Sequence, residues 1–155
     1  MTFGSFWDGI HLVELDPVTG LRRHPDQPPQ RIAWAPEIEA PFLHHRDGYY
    51  YLFVNWGKCC RGLESTYEIR VGRSRTVSGP YLDRERRDLR SGGGTLVLGS
   101  EDRWIGPGHP SIVERAGREW LAHHYYDREA LGRPRLRMVP LSWDAEGWPV
   151  IERTN

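Results

Sequence analysis

Glu39 has the surroundings in this sequence that best suit acid–base chemistry. It lies between Ile38 and the pair Ala40-Pro41, and apolar neighbours disfavour the charged form of a carboxyl group. A carboxyl group that stays neutral can donate a proton to a leaving group, and it then needs an ionised carboxylate as partner. A solvated glutamate at a strand edge fits the same segment, and composition alone favours that interpretation.

Four other carboxylates are candidates for the ionised partner: Asp8, Glu37, Asp102 and Asp127. Glu37 is two residues from Glu39 and would share its face on a regular strand. That spacing is short for the roughly 6.5–9.5 Å between two carboxyl groups that admit a water molecule between them. Each candidate also fits a surface residue, and a carboxylate from a second chain is an equal alternative.

Adjacent histidines and a cysteine suggest a zinc site at first sight. Neighbouring residues of a strand point to opposite faces, so each histidine pair offers at most one inward ligand. We therefore expect no zinc site from these residues: His44-His45, His123-His124 and Cys60.

The composition narrows the function classes. The 155 residues carry 21 basic and 21 acidic side chains, which gives no support to a nucleic-acid partner. No apolar run approaches the length of a membrane span, and no signal peptide is visible at the N-terminus.

Cys59 and Cys60 are adjacent, with Cα atoms about 3.8 Å apart. This distance is below the usual disulfide range of about 4.4–6.8 Å, so both cysteines are predicted to be thiols. Their presence therefore does not indicate whether the protein resides in an oxidising or a reducing compartment.

Strand signals recur along the chain, and Pro and Gly interrupt every stretch long enough for a helix. Tyr49–Val54 is an aromatic and β-branched run that follows the turn pair Asp47-Gly48. Alternation predicts further strands at 68–71 and 136–139. Segments 91–94 and 106–108 are rich in glycine and are predicted to be loops.

The chain also repeats itself. Residues 40–48 align with residues 109–117 without a gap, with Pro on Pro and Gly on Gly, and a shorter match relates Ile10 to Ile69. Such a repeat predicts an all-β fold built as a partial β-propeller, with a half blade at 1–30 and blades at 31–100 and 101–155. A β-sandwich is the alternative. Two and a half blades leave open strand edges, which predicts a homo-oligomer that covers them.

Several uncommon motifs resemble the arabinanases of glycoside hydrolase family 43, in order and over nearly the whole chain. They are Phe3-Gly4-Ser5-Phe6-Trp7-Asp8-Gly9-Ile10, Ile38-Glu39-Ala40-Pro41-Phe42, Cys59-Cys60-Arg61-Gly62, Gly106-Pro107-Gly108-His109 and Leu141-Ser142-Trp143-Asp144.

This resemblance implies a five-bladed propeller that hydrolyses α-1,5-linked L-arabinofuranosyl polymers with inversion. Family members use an Asp base, an orienting Asp and a Glu acid. Glu39 matches the acid, and the two Asp positions have no counterpart here. The family also implies a calcium ion, with His109 as a ligand. His109 as a hydrogen-bonded loop histidine is the alternative.

The resemblance further implies an arabinose-containing saccharide as the partner. Trp7 and Trp56 are candidates to stack on it, and Arg61 is a candidate to bind a hydroxyl or carboxylate group. Trp104 and Tyr125 also offer aromatic rings, although most aromatic residues of such a domain form its core. A vestigial carbohydrate-binding or self-associating module without hydrolysis is the alternative function. The exact sugar and the localisation stay open.

Overall fold

The computed structural model describes residues 1–152, and it confirms the all-β prediction with three antiparallel sheets. The first sheet contains β1 (Thr2–Phe3), β2 (Ile10–Leu12) and β3 (Gln30–Ala33). The second contains β4 (Glu39–Arg46), β5 (Tyr49–Trp56), β6 (Glu68–Ser74) and β7 (Thr95–Leu98). The third contains β8 (Trp104–Arg115), β9 (Arg118–Asp127), β10 (Arg133–Trp143) and β11 (Pro149–Ile151). Single 3₁₀ turns lie at Gly62–Glu64, Leu89–Ser91 and Arg128–Ala130.

The strand predictions at Tyr49–Val54, 68–71 and 136–139 are confirmed within β5, β6 and β10. The loop predicted at 106–108 is wrong, because these residues belong to β8. The ladder between β8 and β9 shifts register on both sides of Gly108. Glycine therefore marks β-bulges here, which bend a strand without ending it.

The internal repeat is visible in the backbone angles. Ala40 and His109, which the alignment pairs, both have a left-handed φ of 52°. The paired turn glycines also agree, with φ of 74° at Gly48 and 71° at Gly117. A left-handed φ is uncommon for a residue with a side chain, so its recurrence at matched positions supports one unit used twice.

β5 lies at the centre of the molecule and buries both of its faces. Leu52 and Val54 are fully buried in a core shared with the first sheet. Tyr51 and Phe53 lie in a second core, shared with the third sheet. Each such side chain contributes about 1.5–3 kcal/mol by leaving water, so these two cores join the three sheets into one body.

The first strands of the three sheets are neighbours, since β4 contacts both β1 and β8. The outer face of the third sheet has no cover within residues 1–152. Val113, Leu136 and Met138 are 41%, 76% and 44% exposed there. No helix within this range is long and apolar enough to span a membrane.

Candidate active site

Glu39 begins β4, the middle one of the three neighbouring first strands. The ladder between β4 and β5 shifts register between Glu39 and Phe42, where Ala40 takes its left-handed conformation. A bulge of this kind re-aims the side chain beside it. The Glu39 side chain is partly exposed, so a substrate can reach its carboxyl group.

The loop between β1 and β2 lies against the start of β4. The Phe6 N–H donates to the Ile38 carbonyl oxygen over 2.6 Å, and the Ser5 hydroxyl donates to Glu39 Oε2 over 3.0 Å. The first sheet thus contributes a hydrogen bond that fixes one carboxyl oxygen of Glu39.

Asn55 faces Glu39 across the β4–β5 ladder and is completely buried. Its Nδ2 donates to the carbonyl oxygens of Glu68 and Pro107, both over 3.1 Å. Its Oδ1 accepts a 2.8 Å hydrogen bond from the His109 N–H. Asn55 therefore connects the strand that carries Glu39 to the bulge that carries His109, a role that sequence reasoning missed.

His109 is an exposed residue beside two aromatic rings. Its ring centroid lies 5.5 Å from that of His124 and 6.3 Å from that of Tyr67. His124 Nε2 and Tyr67 Oη are buried without a hydrogen-bond partner within the described chain. Burial, and secondly the charge of His109, lowers the pKa of His124.

This environment does not fit a calcium ion by itself. Calcium takes six to eight oxygen ligands, and no group of three or more His, Cys, Asp or Glu side chains among residues 1–152 is placed to hold a metal. The calcium ligand role of His109 stays a prediction, because calcium also takes backbone carbonyl and water oxygens, which such side-chain groups do not include.

The prediction of free thiols is wrong, because Cys59 and Cys60 form a disulfide bond in this structure. Adjacent cysteines can pair within a loop that bends sharply, and Cys60 has a left-handed φ of 66° here. The Cys60 N–H donates to Tyr126 Oη over 2.8 Å. The loop that follows β5 is thereby attached to the third sheet.

Arg61 follows the disulfide and is exposed. Its backbone N–H donates to Ser65 Oγ over 3.1 Å, and its guanidinium group has no hydrogen bond or ion pair to another residue in the range 1–152. Lys58 in the same loop pairs with Glu37 over 3.2 Å. The loop therefore reaches the segment before Glu39 and leaves the Arg61 side chain available to a ligand.

The two tryptophans proposed for saccharide stacking have different surroundings. Trp7 is 92% exposed, and its carbonyl oxygen accepts a hydrogen bond from Trp34 Nε1 over 3.2 Å. Trp56 packs against the first core, and the Arg70 guanidinium lies 4.2 Å from the centre of its ring. Trp7 can offer a ring face to a ligand, whereas one face of Trp56 is already covered.

Three of the four candidate partner carboxylates are in ion pairs. Asp8 pairs with His11 and Arg31, both at 3.0 Å. Glu37 pairs with Lys58, as described above. Asp127 is completely buried and binds the Arg103 guanidinium at 2.8 and 2.7 Å.

These contacts argue against a free base among the candidates. The hydrogen bonds from Arg103 hold the pKa of Asp127 below its usual range. Asp102 is exposed and lines a groove between residues 96–98 and 149–152, on the outer strands of the sheets. No hydrogen bond or ion pair joins Glu39 to any of these four carboxylates within the described residues, where its side-chain partner is Ser5.

Comparison with known proteins places this arrangement in a family context. The model of the family described as "Glycosyl hydrolases family 43" matches residues 3–149. An extracellular exo-α-(1→5)-L-arabinofuranosidase of Cellvibrio japonicus is 40% identical, over 98% of this chain and 47% of that protein. An extracellular endo-α-(1→5)-L-arabinanase of Bacillus subtilis is 42% identical, over 96% of this chain and 45% of that protein.

Solved structures agree with the sequence matches. An exo-1,5-α-L-arabinanase from a bovine ruminal metagenomic library superposes with a TM-score of 0.92 and 39% identity, over 99% of this chain and 53% of that one. An α-L-arabinanase of Cellvibrio cellulosa in complex with arabinohexaose superposes with a TM-score of 0.90 and 39% identity, over 98% and 52%. The partial-propeller prediction is thus confirmed, and the chain spans about half the length of the relatives it matches.

Proposed function

Because the chain belongs to glycosyl hydrolases family 43, we propose that it carries the general acid of a glycosidase site for α-1,5-linked L-arabinofuranosyl saccharides. The observation that carries the proposal is Glu39 at the bulge of the middle first strand, oriented by Ser5. The arabinohexaose bound by a relative with 39% identity supports the substrate class.

Glu39 acts as the proton donor in this proposal. The hydrogen bond from Ser5 occupies Oε2 and leaves Oε1 to carry the proton that moves to the leaving glycosidic oxygen. Proton transfer by such a positioned carboxyl group contributes roughly 10²–10⁴-fold to a rate. Trp7 and Arg61, which are exposed on the neighbouring loops, bind the saccharide by ring stacking and by hydrogen bonds.

The ionised carboxylate comes from outside residues 1–152 in this proposal. The support is the state of Asp8, Glu37 and Asp127, which are already held by cations. Of these, Asp127 is buried, so loss of its charge would leave its arginine partners unpaired and weaken the fold. The pairs of Asp8 and Glu37 are more exposed and contribute little to stability. A second copy of the chain or a further polypeptide segment is the source of the base.

Hydrolysis of debranched arabinan by the purified chain tests the proposal through release of reducing sugar. We expect activity in the wild type, background activity in Glu39→Gln, and nearly full activity in Glu37→Gln, which makes the same change two residues away. If activity survived in Glu39→Gln and disappeared in Glu37→Gln, the assignment of Glu39 as the acid would be wrong.

A saccharide-binding module without hydrolysis is the second candidate, favoured by the absence of an evident base among the described residues. It predicts saturable binding of arabino-oligosaccharides in calorimetry together with no release of reducing sugar. Hydrolysis by the wild type would reject it.

Self-association is proposed for the uncovered face of the third sheet. Val113, Leu136 and Met138 share that face with Ala122 and Trp120 by the strand register, and exposed apolar surface of this kind favours a partner. Light scattering should give a mass of at least two chains. Leu136→Lys should lower this mass, and a monomeric wild type would contradict the proposal.

A further inference from the structure

A groove of about 650 Å³ lies at the opposite end of the second sheet from Glu39. Tyr49, the first residue of β5, lines it, whereas Asn55, the partner of Glu39, lies near the last residue of that strand. Six residues of β-strand cover roughly 20 Å. The groove is therefore separate from the candidate active site.

Guanidinium groups and aromatic rings alternate along the groove. Arg75 lies 3.7 Å from the centre of the Tyr49 ring. Arg73 lies 4.6 Å from the Tyr49 ring and 4.3 Å from the Trp148 ring, and Arg84 lies 5.4 Å from the Trp148 ring. Stacking on an aromatic face fixes the plane of a guanidinium group and leaves its N–H edge free to donate.

Only one of these stacked arginines is paired with carboxylates. Arg84 binds Asp144 and Glu146. Arg73 instead donates to the carbonyl oxygens of Glu146 and Gly147 over 2.6 and 3.2 Å. Arg75 has only a 3.5 Å contact to the Gly48 carbonyl oxygen, so neither positive charge meets a carboxylate of residues 1–152 within ion-pair distance.

Two more charged residues complete the groove. Arg86 is exposed and forms no ion pair with any described residue. Asp83 is 2% exposed, and its carboxyl group accepts hydrogen bonds from Gly94, Arg87 and Glu85. This acid is already satisfied internally, so Arg73, Arg75 and Arg86 give the groove an uncompensated positive charge.

We propose that this groove binds a carboxylate-bearing ligand. A guanidinium fork matches the two oxygens of a carboxylate, and charge-assisted bonds of this type are about twice as strong as neutral ones. The volume lies within the roughly 300–1,000 Å³ of small-molecule sites. A free organic acid and a uronic acid residue of a saccharide share this chemistry, and ligand length distinguishes the two sources.

Calorimetry with galacturonate and trigalacturonate at low salt tests the site. We expect saturable binding of at least one of them, with a stoichiometry of one, and no binding of the neutral arabinotriose at this groove. A higher affinity for trigalacturonate than for galacturonate identifies a uronic acid residue of a saccharide as the ligand. Equal affinities for the two compounds identify a free organic acid. Both results support a carboxylate site.

Variants locate the binding. The double variant Arg75→Gln/Arg86→Asn removes two exposed charges, and Asn tolerates the left-handed φ of 65° at position 86. It should weaken binding at least tenfold at an unchanged melting temperature. Arg133→Gln, an exposed arginine outside the groove, and Glu39→Gln should leave binding unchanged. Absence of saturable binding, an equal loss in Arg133→Gln, or equally tight binding of inorganic phosphate would overturn the proposal.

Discussion

The Oδ1 atom of Asn55 accepts a 2.8 Å hydrogen bond from the backbone N–H of His109, across the boundary between the second and third sheets. Asn55 lies opposite Glu39 in the strand ladder, and its amide also binds two carbonyl oxygens. One buried side chain thus holds the strand of the candidate acid and the left-handed turn at His109 in a fixed relation.

Replacement of Asn55 by alanine should destabilise the protein. It leaves the buried Pro107 carbonyl oxygen and two part-buried groups, the His109 N–H and the Glu68 carbonyl oxygen, without this partner. An unsatisfied buried group costs about 1–3 kcal/mol, and part-buried groups cost less because water can reach them. We expect a loss of roughly 2–4 kcal/mol in the free energy of unfolding by urea. Gln30→Ala removes an exposed amide with one hydrogen bond, at 2.9 Å to the Ser78 carbonyl oxygen, and should cost far less. Equal costs for the two variants would contradict the proposed role of Asn55.

Trp7 should contribute to saccharide binding without contributing to stability, since it is 92% exposed. Loss of ring stacking costs about 1 kcal/mol, which corresponds to about a fivefold weaker affinity. Calorimetry of Trp7→Ala with arabinotriose should show this change at an unaltered melting temperature. Leu131→Ala, at a residue 91% exposed, serves as the matched control and should bind normally. A Trp7→Ala variant with wild-type affinity would remove Trp7 from the binding surface.

Acid should destabilise the protein through His123. Burial lowers the pKa of His123 to about 4. Below the usual histidine pKa of about 6.5, the unfolded state therefore binds a proton that the folded state does not bind until the pH is near 4. Stability is therefore present near pH 7 and is lost as pH falls from about 6.5 towards 4. Between pH 7 and pH 5 this loss amounts to about 2 kcal/mol from His123 alone.

Urea unfolding at pH 7 and pH 5 measures this effect. His123→Gln should be less stable than the wild type at pH 7, because the ring fills a buried position. It should lose about 2 kcal/mol less than the wild type on acidification. His24→Gln replaces an exposed histidine and should keep the wild-type slope. If the loss of stability between pH 7 and pH 5 were the same in His123→Gln as in the wild type, folding would not lower the pKa of His123, and the prediction would be wrong.

The register between β4 and β5 shows what the sequence could predict and what it could not. The turn at Asp47-Gly48 and the strand after it were predictable from residue types. A regular ladder from that turn would pair Glu39 with Trp56. The bulge at Ala40 moves the pairing by one residue and places Asn55 opposite Glu39. The sequence did not predict this bulge, because the residue with the left-handed φ is Ala40 and not a glycine.

The residues around Glu39 show the same limit. The alignment pairs Ala40, the residue after Glu39, with His109, and the equal φ angles of these two residues agree with it. The ion pairs of Asp8, Glu37 and Asp127 depend on cations far along the chain or on loop geometry, which no local pattern encodes. The Cys59–Cys60 disulfide was excluded on average geometry, and the sharp local bend at Cys60 permits it.

The most direct test of the account compares Glu39→Gln with the wild type on two substrates that differ in their leaving group. Arabinotriose releases a poor leaving group that needs a proton, whereas 2,4-dinitrophenyl α-L-arabinofuranoside releases a stable phenolate that does not. If Glu39 is the general acid, kcat/KM should fall by roughly 10²–10⁴-fold on arabinotriose and by less than about tenfold on the dinitrophenyl substrate. An equal fall on both substrates, or no fall on arabinotriose, would contradict the assignment of Glu39 as the acid.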